Sequence, residues 1–366
     1  MANKSGNEQN KPRGKERLNP RHHHLNKKAK SWAREWLDAI IFAAIAALII
    51  RAFFFEAYRI PTPSMEKSLL VGDFLLVSKV NYGPRTPMSV GIPFTSVHIP
   101  DLTIPWIRLP GFENVERYDV VVFNYPIDHD VISEKTNYIK RCIGLPGDTL
   151  SIKDKVVYID GKPTKTFPTM EETYVVTVKE RLRLSPARVE QAGGKIFQMV
   201  DQGKYIVNMT EATAGKMSKW PEIQSVKPNI YPKDYDEFQN SRFTFSHGIE
   251  GNRDQFPAVV VPYKGEKVHL TDKDWHLYEN IVERYEHNKV SKLGNDFTIN
   301  GVHTNEYTIK QNYYFMMGDN RDNSEDSRYW GFVPHDHIVG KAFIVYFSWD
   351  KDRMLPRFDR IFHLIH

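Results

Sequence analysis

Hydrophobic and polar positions follow two different rhythms along this chain. From Trp36 to Phe55 the sequence reads WLDAIIFAAIAALIIRAFFF, apolar without a period and charged only at Asp38 and Arg51. Twenty residues of helix at about 1.5 Å each span about 30 Å, the thickness of a bilayer's hydrocarbon core. A membrane-crossing helix is therefore expected over 35–56, with Arg51 reaching for the headgroups and Trp32, Trp36 and Phe53–Phe55 at the interfaces. A cleaved secretory signal competes with this reading, but the run ends in Arg-Ala-Phe-Phe-Phe-Glu, without the small residues a cleavage site needs. A buried core helix is the other alternative, and the basic flank on one side disfavours it.

After Glu56 the pattern shortens to β segments. Leu69–Val77 reads as two strands meeting at Gly72-Asp73, and Tyr118–Tyr125 (YDVVVFNY) and Tyr138–Ile143 (YIKRCI) as buried strands. Ser151–Ile159 runs into an Asp160-Gly161 turn, Phe297–Val302 surrounds Asn300-Gly301, and Tyr313–Met317 and Lys341–Trp349 complete the set. Residues 82–116, rich in Pro and Gly, read as a long excursion. Between 164 and 296 the regular patterning lapses apart from a helix-like patch at Trp275–Tyr285. The expected organisation is a tail at 1–34, the helix at 35–56, a mainly β body from 57–163 and 297–350, an inserted lobe at 164–296 and a terminal tail at 351–366.

Charge sharpens this picture. Residues 1–34 hold ten Lys or Arg against Glu8 and Glu16, so they carry +8 of a chain whose total is +5, and the remainder is −3. A basic tail suits nucleic acid, but placed just before an apolar helix it more simply marks the cytoplasmic flank of a membrane anchor, with everything after Glu56 outside. The tail has too few large apolar residues to fold alone. One cysteine, Cys142, permits no internal disulfide and excludes a four-cysteine zinc site. His22, His23 and His24 in the tail read as solvated polar residues.

Three clusters carry candidate chemistry. In Ile60-Pro61-Thr62-Pro63-Ser64-Met65 two prolines stiffen the approach to one serine, which is expected on an extended segment close to the membrane span; most serines so flanked sit in ordinary turns. GxSxG spacing is absent, which disfavours an α/β-hydrolase elbow. In the second cluster Lys140 and Arg141 sit side by side on a strand and point to opposite faces, so one of them is expected to point inward. A desolvated lysine loses its preference for charge and can act as a base near neutral pH; an exposed lysine paired with a carboxylate is the competing reading. The third cluster, Gly318–Gly331 (GDNRDNSEDSRYWG), is either a hydrogen-bonded scaffold or a solvated or calcium-binding turn. Arg321 occupies the second ligand position of the calcium-loop spacing, which discounts calcium.

Together, and in this order after one span, the clusters resemble those of the type I signal peptidases, membrane-bound serine-lysine proteases of bacteria. The nucleophile box is matched at Ile60–Met65 with Leu69–Asp73, the second box at Arg117–Phe123 with Pro126, the lysine box at Tyr138–Asp148 and the last box at Gly318–Gly331. The close likeness covers about a quarter of the chain and leaves out the tail, the excursion and the lobe. It implies a signal-peptidase-type β catalytic domain in which Ser64 is the nucleophile and neutral Lys140 the general base. The amide of Ser64 and the hydroxyl of Thr62 would bind the oxyanion, and Ser324 would orient the lysine. Asp326 and Arg328 would form a structural ion pair, and Ile60 and Ile139 would line pockets for small side chains at the −1 and −3 positions.

The resemblance further implies preproteins bearing signal peptides as substrates, paired as an added β-strand beside the strand leading to Ser64, a lipid bilayer as the site of work, and neither metal, organic cofactor nor nucleic acid. The expected location is the cytoplasmic membrane, crossed once, with the catalytic domain on its outer side. Departures from the family pattern are Pro63, Lys67, Tyr118 and Cys142. Lys67 adds a charge near the cleft, and Cys142 shares a strand face with Lys140, so a thiol nucleophile is a conceivable rival. The apolar end, Arg357–Ile365, is a candidate for lipid contact. Oligomeric state is not legible.

Overall fold

The structure, a computed structural model, describes residues 32–91, 98–128 and 131–365. Most of the tail read at 1–34, with its three histidines, lies outside them. The apolar run is helical from Trp32 to Phe53, earlier at both ends than its hydrophobicity suggests. Ala33, Arg34 and Glu35 extend it forward as good helix formers, and Glu35 and Arg51 suit the positive and negative ends of the helix dipole. It stops where Phe54 N–H closes on Ile50 O at 2.8 Å and Phe55 enters a strand. None of its residues is buried. By compactness the chain divides after Ala46, and among the described residues all the strands lie in the unit 47–366.

That unit is built on a nine-stranded antiparallel sheet. Phe55–Arg59 lies at one edge, followed by Asp73–Ser78, Ile338–Asp350, Val120–Asn124, Asn137–Gly144, Tyr313–Met317 and Val333–Pro334. Leu355–Pro356 and His363–Leu364 fold back on the long strand Ile338–Asp350. The β-branched run Val120–Phe123 is buried throughout, as expected for a strand covered on both faces.

Leu69–Val71 corrects the sequence reading, because it forms a turn and not a strand. Leu69 is fully buried in the core with Ile60, Leu75 and Val77, and its N–H bonds Met65 O at 2.6 Å. Gly72, at φ +96°, runs so close to Trp349 O that any Cβ would overlap it. The strand partner of Asp73–Ser78 on this side is Phe55–Arg59, upstream of the prolines.

The stretch 164–296 contains two kinds of structure. Glu171–Val178, Lys195–Asp201, Lys204–Thr210 and Ile223–Pro228 form a separate four-stranded sheet with its own core around Val176, Val207, Met209 and Met217. Phe256–Val260, by contrast, pairs with Thr149–Lys153, and residues 238–299 share one core with Ile143, Leu150 and Phe315 of the body.

Candidate active site

The serine lies where the edge strand ends. Pro63 starts a single 3₁₀ turn, Pro63–Met65, for which its fixed φ is suited, and Thr62 before it is extended at φ −123° and ψ 154°. Ser64 is thus in a tight turn and not on an extended segment, and only 8% exposed. Glu66 N–H bonds Pro63 O at 3.0 Å, while Ser64 O accepts from Asn320 N–H at 3.1 Å and Pro63 O from Asn320 Nδ2 at 3.1 Å. The last cluster therefore clamps the backbone on both sides of the serine's Cα.

Lys140 enters from the strand Asn137–Gly144 and places Nζ 2.6 Å from Ser64 Oγ, 76 positions away in the chain. It is 4% exposed. Burial drives its pKa down from 10.5 to about 8, against the opposing pull of the Asp326, Glu325 and Asp319 carboxylates. About a tenth of the side chain is then neutral at pH 7, and a neutral amine at this distance is within reach to accept a proton from the hydroxyl.

The alternation argument for this strand needs correcting. Lys140 and Arg141 do point to opposite faces, yet both are buried, because both faces are covered. Arg141 makes two bonds to Asp319, Nε to Oδ1 at 2.8 Å and Nη2 to Oδ2 at 2.6 Å, and donates to Tyr118 O at 2.8 Å. Cys142, on the lysine's face, is also fully buried; desolvation raises its thiol pKa, so it stays protonated and unreactive.

Asp326 and Arg328 form an ion pair with both side chains out of solvent, Arg328 Nε to Asp326 Oδ1 at 2.8 Å and Nη2 to Oδ2 at 2.9 Å. Burial alone would raise the Asp326 pKa, but Arg328 holds it below the usual carboxylate range. Asp326 Oδ2 also accepts from Gly318 N–H at 3.0 Å. Ser324, which the family likeness implies as the residue orienting the lysine, lies close to Asp326. Its Oγ is buried beside the Asp326 carboxylate, whose charge it favours, but outside hydrogen-bond geometry, and no bond joins it to Lys140 among the described residues. Gly318 separates Ser324 from the serine turn, and a Cβ on it would strike both Ser324 Oγ and Ser64 O. Thr62 is exposed and its hydroxyl makes no capping bond. Ile60 is a core residue at 3% exposure, and Ile139 packs on the same cluster while partly open.

Several supporting residues had no role assigned by sequence. Ser68 Oγ donates to Asp319 Oδ2 at 2.5 Å and lies in hydrogen-bond contact with Thr169 Oγ1 at 2.8 Å, and Asp319 N–H meets Met65 Sδ at 3.4 Å. Asp319 thus joins the serine turn to the lysine strand. Its place in the polar loop was visible, but its partner 178 positions away was not.

A family model described as "Signal peptidase, peptidase S26" matches residues 33–217 and 256–349. The chain is 28% identical to a signal peptidase I of Buchnera aphidicola subsp. Acyrthosiphon pisum over 333 residues, 89% of this chain and 78% of that one. It is 30% identical to a signal peptidase I of Buchnera aphidicola subsp. Schizaphis graminum over 317 residues, 86% of this chain and 75% of that one. A third, signal peptidase I of Pseudomonas aeruginosa, is 28% identical over 327 residues, 86% of this chain and 73% of that one.

Proposed function

Because the chain belongs to the signal peptidase family, peptidase S26, and so removes signal peptides as a serine endopeptidase, we propose that cleavage runs through Ser64 with neutral Lys140 as its base. Ser64 Oγ attacks the scissile carbonyl carbon and its proton passes to Lys140 Nζ. The oxyanion is held by the Ser64 backbone N–H and the Thr62 hydroxyl. When the C–N bond breaks, Lys140 returns the proton to the leaving amine, and the signal peptide remains as an ester on Ser64. Water, deprotonated by the same amine, releases it. The Asp326–Arg328 ion pair keeps the last loop in place, and Ser324 orients the amine. Ile60 and Ile139 accept the small side chains that precede the cut.

One observation carries this reading: a buried amine lies 2.6 Å from a buried hydroxyl, with the pKa of the amine lowered by desolvation. The test is cleavage of a preprotein by the detergent-solubilised full chain. Ser64→Ala and Lys140→Ala should each remove turnover while leaving a folded protein, and wild-type-like turnover by either would overturn the assignment.

The apolar helix Trp32–Phe53, with the basic residues before it, supports a single crossing of the cytoplasmic membrane, with the tail inside and the catalytic unit outside. One apolar helix also fits a signal sequence, so orientation calls for its own test. Protease added outside spheroplasts should digest the catalytic unit and spare the tail.

A further inference from the structure

Ser64 and Met65 are followed by two charged residues, Glu66 and Lys67. Lys67 holds φ +66°, a left-handed conformation that costs a lysine about 1 kcal/mol and is commonly kept where function requires it. Its side chain, 35% exposed, reaches to the neighbouring sheet, where Nζ lies 3.8 Å from Glu171 Oε1. Gly193 lies beside it, where a Cβ would stand 4.0 Å from Nζ, in ordinary contact.

Glu171 belongs to two structures at once. It opens the strand Glu171–Val178 of the four-stranded sheet, and its N–H bonds Asp319 O at 2.9 Å, forming a parallel bridge with Asn320, the residue that clamps Ser64 O. Its carboxylate is buried, with Oε2 accepting from Asn208 Nδ2 at 3.0 Å. Burial pushes its pKa up to about 7 against the pull of Lys67, so near neutral pH the lysine's charge is only partly answered.

In the cleavage proposed above, a substrate strand laid beside Ile60 and Thr62 would meet Ser64 at the scissile bond, and its continuation would pass Glu66 and Lys67, which follow the 3₁₀ turn Pro63–Met65. The residues that flank the hydroxyl on the signal-peptide side are apolar, while those on the other side are charged and backed by the four-stranded sheet. We propose that Lys67 and Glu171 together read the charge of the first residues after the cut, making the 171–228 sheet a specificity platform for the mature end of the preprotein. The inference rests on the signal-peptidase reading above and extends it to the side of the substrate that becomes the product protein. Lys67 favours acidic residues there, and Glu171 limits that preference by pairing with it.

The test compares two preproteins that differ only in the first two residues after the cleavage site, Asp-Asp in one and Lys-Lys in the other, with detergent-solubilised full chain at pH 7. Wild type should favour the acidic substrate in kcat/KM by roughly three- to tenfold, in line with a partly solvated charge contact. Lys67→Gln should bring the ratio to near one. Glu171→Gln should raise it above wild type, because the lysine is then unpaired. A pair that merely docked the sheet would move both substrates alike in either variant. Ratios unmoved by both variants, or moved in the same direction by both, would overturn the inference while leaving the peptidase standing. Failure of wild type to cut either substrate would overturn the peptidase reading and the inference with it.

Discussion

Arg141 and Asp319, both about 1% exposed, are joined by two short bonds that tie the lysine strand to the loop gripping the serine turn. The guanidinium of one residue thus fixes its neighbour Lys140, and the carboxylate of the other sits beside Asn320. Removing one partner leaves a buried charge unanswered, which costs about 3–5 kcal/mol. Asp319→Ala should lower unfolding free energy by that amount and activity by more than a hundredfold. The double variant Arg141→Met, Asp319→Leu should recover much of the stability in denaturant titrations without recovering turnover.

The second prediction concerns the far end of the chain. Arg360 binds Asp73 through Nε at 3.1 Å and Nη2 at 2.6 Å, and donates to Ser68 O at 3.0 Å. Asp73 in turn receives Leu70 N–H and Ser348 Oγ. The tail's charged side chains therefore hold the turn after Ser64 from behind. Arg360→Ala should lower stability by about 2–4 kcal/mol, and in steady-state kinetics it should reduce kcat more than KM, because the turn bearing Ser64, the proposed nucleophile, is loosened.

Gly318 has no room for a methyl group between Ser324 Oγ and Ser64 O. Gly318→Ala should therefore displace the serine and cut kcat at least tenfold, for a stability loss of about 1–3 kcal/mol, as overpacking gives. Activity close to wild type in a well-folded Gly318→Ala protein would show that the packing here is looser than described.

These pairs show what the sequence carried and what it did not. Local chemistry was legible: the apolar run, the strand Val120–Asn124 and Lys140 inside its strand each declare themselves within a few residues, whereas Ser64, expected on an extended segment, sits in the 3₁₀ turn that Pro63 starts. The helix end at Phe53 was less so, because Phe54 and Phe55 are as apolar as the helix and equally at home in a strand. Leu69–Val71 has strand composition but was claimed by the turn that buries Leu69. Burial of Arg141 depended on Asp319, and the role of Arg360 on Asp73, partners 178 and 287 positions away, and no local pattern encodes such pairings.

Burying Lys140 also sets stability against activity. Its folded pKa of about 8 lies below 10.5, so the folded state disfavours the charged form; the penalty is fully present below pH 8 and fades as pH rises towards 10.5. Two to three pKa units correspond to about 3 kcal/mol. Lys140→Met should therefore be inactive and yet more stable than wild type at pH 7, by up to that amount. The difference should shrink between pH 8 and 10.5, as followed by thermal or denaturant unfolding across pH.

The central claim, that an uncharged Lys140 takes the proton of Ser64, is tested most directly by the pH dependence of kcat/KM for a single preprotein. The account predicts a tenfold rise per pH unit below about 8 and a plateau above it, since only the neutral amine accepts the proton. A rate that is flat from pH 6 to 9 would contradict it.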